Sequence, residues 1–359
     1  MSTHRGPSLH IPDYDHSKTA AHMSPETLPS QIYTVKGQYI WDSWIVEDEG
    51  ILHRYALSAS IEYIPNERHQ HAFVRHAISQ DNGLSWIDKG PVITPESNGE
   101  WPDLVIWTSS ILLRKDGNGK KEFFMFITGR NKEDGWGQRI GLVRSADGYQ
   151  FGPPEQLLSP AEVFNYDITD DDGIIMAWRD PQVIQEKKTG IWHMFFSAKK
   201  KEPDGSVRPT VGHATTTDDS FSNWELQPPL NLPHYYQQLE VPYMIHRNGK
   251  YYLFVSTQNH PLKEDNKDKQ ADYRGYMSDN ITGPWEAVYG HKDKIYGHKI
   301  YAPTIFEFPR GSSEYAAVSF FSGDTPYPLT GTPIVPIEWD GDCPEFMFRK
   351  TLHQYLFPD

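Results

Sequence analysis

One short unit, a polar turn closed by an aromatic residue, recurs four times in this chain and limits what the chain can fold into. The first copy is Ser79-Gln80-Asp81-Asn82-Gly83-Leu84-Ser85-Trp86, and looser copies lie at Ser145–Phe151, Thr217–Trp224 and Ser278–Trp285. The aromatic anchors Trp86, Phe151, Trp224 and Trp285 are spaced at similar intervals, and Trp339 follows after a slightly shorter one. A strand-like run precedes each copy, such as His71–Ile78 before the first. A unit of that length suits a four-stranded propeller blade with long loops, and about five such blades use up the chain.

The rest of the pattern agrees. Apolar segments are short and rich in β-branched and aromatic residues: Phe123–Ile127, Ile191–Phe196, Tyr251–Val255. Gly, Asn, Asp and Pro punctuate them, with 27 Gly and 28 Pro in 359 residues. This is strand-and-turn patterning, and no long stretch carries a helical period. The expected fold is all-β, a five-bladed β-propeller. Residues 1–35, with Pro7, Pro12, Pro25 and Pro29, read as an irregular arm. Residues 36–359 read as one propeller domain.

Composition narrows the partners. The net charge of −14 argues against nucleic acid and against an anionic membrane surface, because both need basic patches. No apolar run reaches membrane-spanning length, and the N-terminus has no apolar leader segment. The expected location is cytoplasmic, or secreted without a cleavable signal peptide. The single cysteine, Cys343, excludes an intrachain disulfide and a cysteine zinc site.

Three segments set a carboxylate among aromatic or apolar neighbours: Tyr39–Trp44 around Asp42, Met176–Pro181 around Asp180, and Gln238–Tyr243 around Glu240. Burying such a charge is costly unless it is paired or functional. The separation of Asp42 from Asp180 is close to two repeat units, and that of Asp180 from Glu240 is close to one. Equivalent positions in different blades face one channel, so the three acids are expected to converge there. Two carboxyls flanking a bond are the usual apparatus of glycoside hydrolysis.

At these residues the chain resembles glycoside hydrolase family 68, the levansucrases and β-fructofuranosidases. The resemblance runs from about residue 38 to 340 and rests on Trp41-Asp42-Ser43-Trp44, Arg179-Asp180-Pro181 and Glu240-Val241-Pro242. Asn248–Phe254 and Trp107-Thr108-Ser109-Ser110 add to it. It implies a five-bladed propeller with a central funnel-shaped active site, and Asp42 as nucleophile, Asp180 as transition-state stabiliser and Glu240 as acid/base. It also implies substrate contacts from Trp41, Trp107, Thr108, Arg179, Gln238 and Gln258, and sucrose or a related fructoside as substrate. The roles require Glu240 protonated and Asp42 ionised at one pH, so their environments should hold their pKa values apart. The chain departs from the family pattern at Gln238, Val241 and Gln258, which shape the acceptor side. These departures put polymer synthesis in doubt, while hydrolysis and transfer are expected to compete for one fructosyl-enzyme intermediate.

No cofactor is expected. The acidic run Asp167–Gly173 leaves a structural calcium open, but it lacks the spacing of an EF-hand loop. His69, His71 and His76 read as surface or edge-strand residues, and Lys199-Lys200-Lys201 as a solvated turn. Two other readings stay open: a non-catalytic sugar-binding propeller, and a sialidase-like hydrolase suggested by the S-x-D-x-G-x-x-W pattern at Ser79–Trp86.

Overall fold

The computed structural model describes residues 28–96, 98–115, 118–133, 137–168, 176–232, 238–258, 272–288, 294–296, 300–322, 325 and 327–356. Five antiparallel sheets follow one another along the chain. The first is β1 (Gln38–Asp48), β2 (Ile51–Ser60), β3 (Phe73–Ser79) and β4 (Ile87–Ile93). The second is β5 (Val105–Lys115), β6 (Lys121–Arg130), β7 (Arg139–Ser145) and β8 (Glu155–Leu158). In the third, the short β9 (Tyr166–Asp167) pairs with β11 beside β10 (Trp178–Gln185), β11 (Trp192–Lys201), β12 (Val207–Thr216) and β13 (Glu225–Gln227). The fourth runs β14 (Gln238–Arg247), β15 (Lys250–Gln258), β16 (Asp272–Ser278), β17 (Glu286–Ala287), with β18 (Lys294–Tyr296) against β16. The fifth is β19 (Ile300–Glu307), β20 (Tyr315–Phe321), β21 (Val335–Asp340) and β22 (Cys343–Phe346), and α1 (Phe348–Leu356) follows.

The first strands touch in a ring: β1 meets β5, β5 meets β10, β10 meets β14, β14 meets β19, and β19 meets β1. This is a five-bladed propeller. Its packing explains the apolar runs. A middle strand such as β6 is covered on both faces by neighbouring blades, so Phe123–Ile127 are all buried and the run does not alternate. Outer strands are short and exposed, as in β4 and β13, which keeps the edges from templating further pairing.

The repeated unit is the turn between the third and fourth strands. Ser145 Oγ donates to Asp147 Oδ1 at 2.9 Å and accepts the Gly148 amide at 2.9 Å, while the Tyr149 amide reaches Asp147 Oδ1 at 2.8 Å. Gly148 has φ +75°, and a Cβ there would meet Phe123 and the Tyr55 hydroxyl at 3.0 Å. Ser79 with Asp81 and Ser220 with Asp218 build related turns. Trp339 does not continue the series: it lies in β21, before its turn.

Each blade is contiguous in sequence, so the ring closes through side chains and isolated backbone contacts. Buried Arg54 of β2 does much of this. It donates from Nη1 to Thr332 O at 2.8 Å, and from Nη2 to Ser43 Oγ at 2.9 Å and Ser319 O at 3.3 Å. Its guanidinium lies over Tyr33 and Trp86 at 5.4 and 5.3 Å. Tyr33, in the segment ahead of β1, exchanges backbone hydrogen bonds with Gly331.

Two sequence expectations are corrected here. His76 is buried in β3, with its Nε2 at 3.1 Å from Nδ1 of His53, and His193 and His213 form the matching pair in the third blade at 2.9 Å. Burial lowers all four, to about 3 for His76 and His213, so the pairs are neutral core elements. Lys199–Lys201 are the end of β11 rather than a turn, and Lys199 is buried facing Asp167 at 3.9 Å.

Candidate active site

Every first strand breaks register with its neighbour at one place. The shift falls between Trp41 and Ser43, Trp107 and Ser110, Arg179 and Gln182, Glu240 and Tyr243, and Tyr301 and Thr304. Each is a one-residue bulge, which re-aims the side chains around it. In three blades the bulged residue has a left-handed backbone: Asp180 at φ 60°, Val241 at 49° and Ala302 at 50°. A proline follows each of them, Pro181, Pro242 and Pro303.

Aligning the bulges sorts the residues into two tiers. Trp41, Trp107, Arg179, Glu240 and Tyr301 are the last residues paired before the break. Asp42, Thr108, Asp180, Val241 and Ala302 come one residue later. Asp42 and Asp180 are thus equivalent, as the spacing predicts, but Glu240 is level with Arg179, not with Asp180. The near-repeat spacing of Asp180 and Glu240 hid a one-residue offset.

The tiers are stitched across blades. Arg179 Nη2 donates to Glu240 Oε1 at 2.7 Å and to Gln238 Oε1 at 3.1 Å. Tyr301 hydroxyl donates to Glu240 Oε2. Gln138 Oε1 lies 3.3 Å from Arg179 Nη1 and so helps aim the guanidinium. In the second tier, Thr108 hydroxyl donates to Asp42 Oδ2. Asp180 Oδ2 accepts Ser197 Oγ at 2.7 Å and the Val241 amide at 3.1 Å, with Arg179 Nε at 3.7 Å. The Asp180 amide in turn donates to Thr128 Oγ1 at 2.9 Å.

Asp42, Asp180 and Arg179 are buried, and Glu240 is partly so. Burial raises Asp42 to about 7; the Thr108 hydrogen bond and Arg68 oppose that, while Asp180 and Glu240 add to it. Burial likewise raises Asp180 to about 6, against the pull of Arg179. Burial works against the Arg179 cation, but Glu240 and Asp180 outweigh it and its pKa is raised. The direction at Asp42 is opposite to the expectation that its surroundings hold it ionised.

Trp41 is buried, with Arg68 5.4 Å over its ring and His69 against it in an edge contact at 5.6 Å. Trp107 is half-buried, donates Nε1 to His69 O at 2.7 Å, and carries Arg130 over its ring at 4.8 Å. Arg68 and His69 belong to a 3-10 turn, Pro65–Gln70, between β2 and β3. That loop lies at the end of the blade where β1 starts, since Gln38 pairs with Ser60, so His69 sits by the carboxylates and not on a remote edge. Gln258 pairs through its backbone with Gln238. The Ser79–Trp86 turn is at the opposite end of the blade, since Ser79 pairs with Leu52.

Sequence reading missed Tyr301, Gln138, Ser197, Arg68 and His69. Tyr301 did leave a signal: Arg179-Asp180-Pro181, Glu240-Val241-Pro242 and Tyr301-Ala302-Pro303 follow one another at equal intervals. Of the acidic run at Asp167–Gly173, only Asp167 and Ile168 are described residues, and Asp167 faces Lys199 and Lys201. Among the described residues no group of three or more His, Cys, Asp or Glu is placed to hold a metal ion. No helix among them is long and apolar enough to cross a membrane. A surface cleft at Glu345, Phe346, Met347, Lys350 and His353 lies beside α1 and does not include the carboxylates.

No family model matches the chain. The extracellular sucrase of Zymomonas mobilis is 23% identical over 294 residues, covering 70% of this chain and 69% of the sucrase. The levansucrase of Rahnella aquatilis is 25% identical over 250 residues, covering 63% and 59%. The chain resembles glycoside hydrolase family 68. It is an enzyme of the glycoside hydrolase or fructosyltransferase type. The fold is shared more widely than the sequence. Inulosucrase from Halalkalicoccus jeotgali bound to kestose superposes with a TM-score of 0.70 at 23% identity, over 96% of this chain and 92% of that one. Bacillus subtilis levansucrase superposes at 0.67 with 14% identity, over 95% and 91%.

Proposed function

We propose that the protein is a retaining β-fructosyl enzyme that cleaves sucrose or a related β-fructoside through a fructosyl-enzyme intermediate. The observation that carries this reading is the convergence of Asp42, Asp180 and Glu240 from three blades, with Arg179 against Glu240 and Asp180 and with Asp42 close enough to feel both of those carboxylates. The names of the related sucrase and levansucrases support the substrate class.

In this reading Asp42 attacks the anomeric carbon while Glu240 gives its proton to the leaving glucosyl oxygen. The fructosyl ring gains positive charge as the bond breaks. Asp180, fixed by Ser197, the Val241 amide and Arg179, faces that charge without having to reorganise. Water or a sugar hydroxyl then enters, Glu240 takes its proton, and the Asp42 ester is released. Arg179 and Tyr301 hold one Glu240 oxygen each, which aims the carboxyl through both proton transfers. Gln238, on the same Arg179 nitrogen as Glu240, places the acceptor side next to the acid/base.

Incubation with sucrose tests the reading. Glucose release is expected, with fructose equal to it for hydrolysis and in deficit for transfer. Asp42→Asn and Glu240→Gln should each lower turnover by about a thousandfold. Absence of glucose release from the wild type overturns the sucrose assignment, and wild-type rates in Asp42→Asn overturn the role of Asp42.

A further inference from the structure

Three carboxylates meet in this site, and their cations are unevenly shared. Arg179 lies against Glu240 at 2.7 Å and Asp180 at 3.7 Å. Asp42 forms no ion pair among the described residues; its side-chain hydrogen bond comes from neutral Thr108. The charged and titratable groups around it are Asp180 and Arg179 from β10, Glu240 from β14, Tyr301 from β19, Tyr39 from β1, Arg130 from β6 over Trp107, and Arg68 and His69 from the 3-10 turn. Burial, with Arg68 and Arg179 adding to it, holds His69 well below the ordinary histidine value, so it is neutral.

Arg68 is the remaining cation that acts on Asp42. It is buried, and in the 3-10 turn only Pro65 is buried besides it. Its Nη1 is anchored on Pro65 O at 2.6 Å, and its guanidinium lies 5.4 Å over the ring of Trp41, the residue just before Asp42. Its buried Nε has no hydrogen-bond partner among the described residues. A buried guanidinium held this way keeps its place by geometry and leaves its charge uncompensated by a close anion.

We propose that Arg68 is a positioning residue for Asp42: from the 3-10 turn of its own blade it supplies the positive charge that the Asp42 carboxylate otherwise lacks, and it clamps Trp41 behind that carboxylate. The inference rests on the reading of Asp42 as the nucleophile. It goes beyond that reading by naming a residue that touches no reacting atom. Arg68 opposes the rise of Asp42 that burial causes, and Asp42 in turn stabilises the Arg68 cation against its own burial, which lowers it to about 10.

The test is the pH profile of kcat/KM with sucrose for the wild type, Arg68→Met and Arg68→Lys. Removing the charge should move the acid limb of Arg68→Met up by about half a pH unit, a loss of about threefold below the limb beyond any loss on the plateau. Arg68→Lys should keep the limb near its wild-type position. An equal loss at every pH, with the limb unmoved in Arg68→Met, means that Arg68 is merely structural and overturns the proposal. If Arg68→Met does not fold, Arg68→Gln against Arg68→Lys makes the same comparison. Asp42→Asn separates the two levels: if it still turns over sucrose, the functional reading fails; if it is dead and the limb is unmoved, only the role of Arg68 fails.

Discussion

As the proposed nucleophile, Asp42 would have to be ionised in a place where burial opposes ionisation. With its value near 7 and that of Asp180 near 6, kcat/KM should climb as pH rises through about 6 to 7, well above the ordinary carboxylate range. A profile on sucrose with its acid limb near 4 would contradict this. The same burial bears on stability. The folded value of Asp42 lies above its ordinary 3.8, so the folded form keeps a proton that the unfolded chain releases. The stability that this group contributes is present below about pH 4 and lost as pH rises towards 7. Asp42→Asn should therefore be more stable than the wild type at about pH 8, by roughly 4 kcal/mol, with the gap closing below pH 4. Thermal unfolding at both pH values measures it, and an equal Tm at pH 8 refutes it.

At the scale of the strand, the bulge is the element that makes the site. It puts Val241, a β-branched residue, at φ 49°, a conformation such residues rarely adopt. What the position contributes is its backbone: the Val241 amide donates to Asp180 Oδ2 at 3.1 Å. The sequence departure at this residue is thus read by Asp180 through an N–H that nearly any side chain would leave in place. Val241→Gly should keep most of the turnover. Val241→Pro removes the N–H and demands φ near −65°, and should cost at least about 3 kcal/mol and at least tenfold in kcat. Circular dichroism melts and kcat on sucrose distinguish the two, and an active Val241→Pro would show that the amide is dispensable.

The whole molecule depends on a ring that has to be closed without exchanging a strand between its ends. Arg54 joins the first blade to Ser319 and Thr332 near the last, and Gly331 lies so close that an added Cβ would sit 2.2 Å from Arg54 Nη2. Arg54→Met takes the Arg54 donor from the buried Thr332 carbonyl and from Ser43 Oγ, while Ser319 O keeps the Thr332 amide, and should destabilise the fold by about 2 kcal/mol. Gly331→Ala should also destabilise it, by displacing the same guanidinium. Urea unfolding reads both, and a Gly331→Ala protein as stable as the wild type would show that Arg54 has slack. Arg54 also donates to Ser43, one residue from Asp42, so closure of the ring and placement of the carboxylate share a side chain.

The repeat spacing and the aromatic-closed turns were enough to foresee five blades. A blade of four strands needs that length, and each turn is a local device, as the Ser145–Tyr149 hydrogen bonds show. The identities of Asp42, Asp180 and Glu240 were legible too, because a carboxylate between apolar residues stands out in any sequence. What the chain alone did not reveal depends on register and on contact between distant segments. One extra residue per bulge decides that Glu240 stands level with Arg179, and spacing between repeats of unequal length cannot resolve a single residue. His53 with His76, and Arg68 with Trp41, become neighbours only when strands pair and a loop folds back over its own blade. The sequence by itself determined the blades and singled out the three acids as candidates. The tertiary structure decided which cation faces which acid and how far burial raises Asp42, because both follow from distance and exclusion of water, which exist only once the ring has closed.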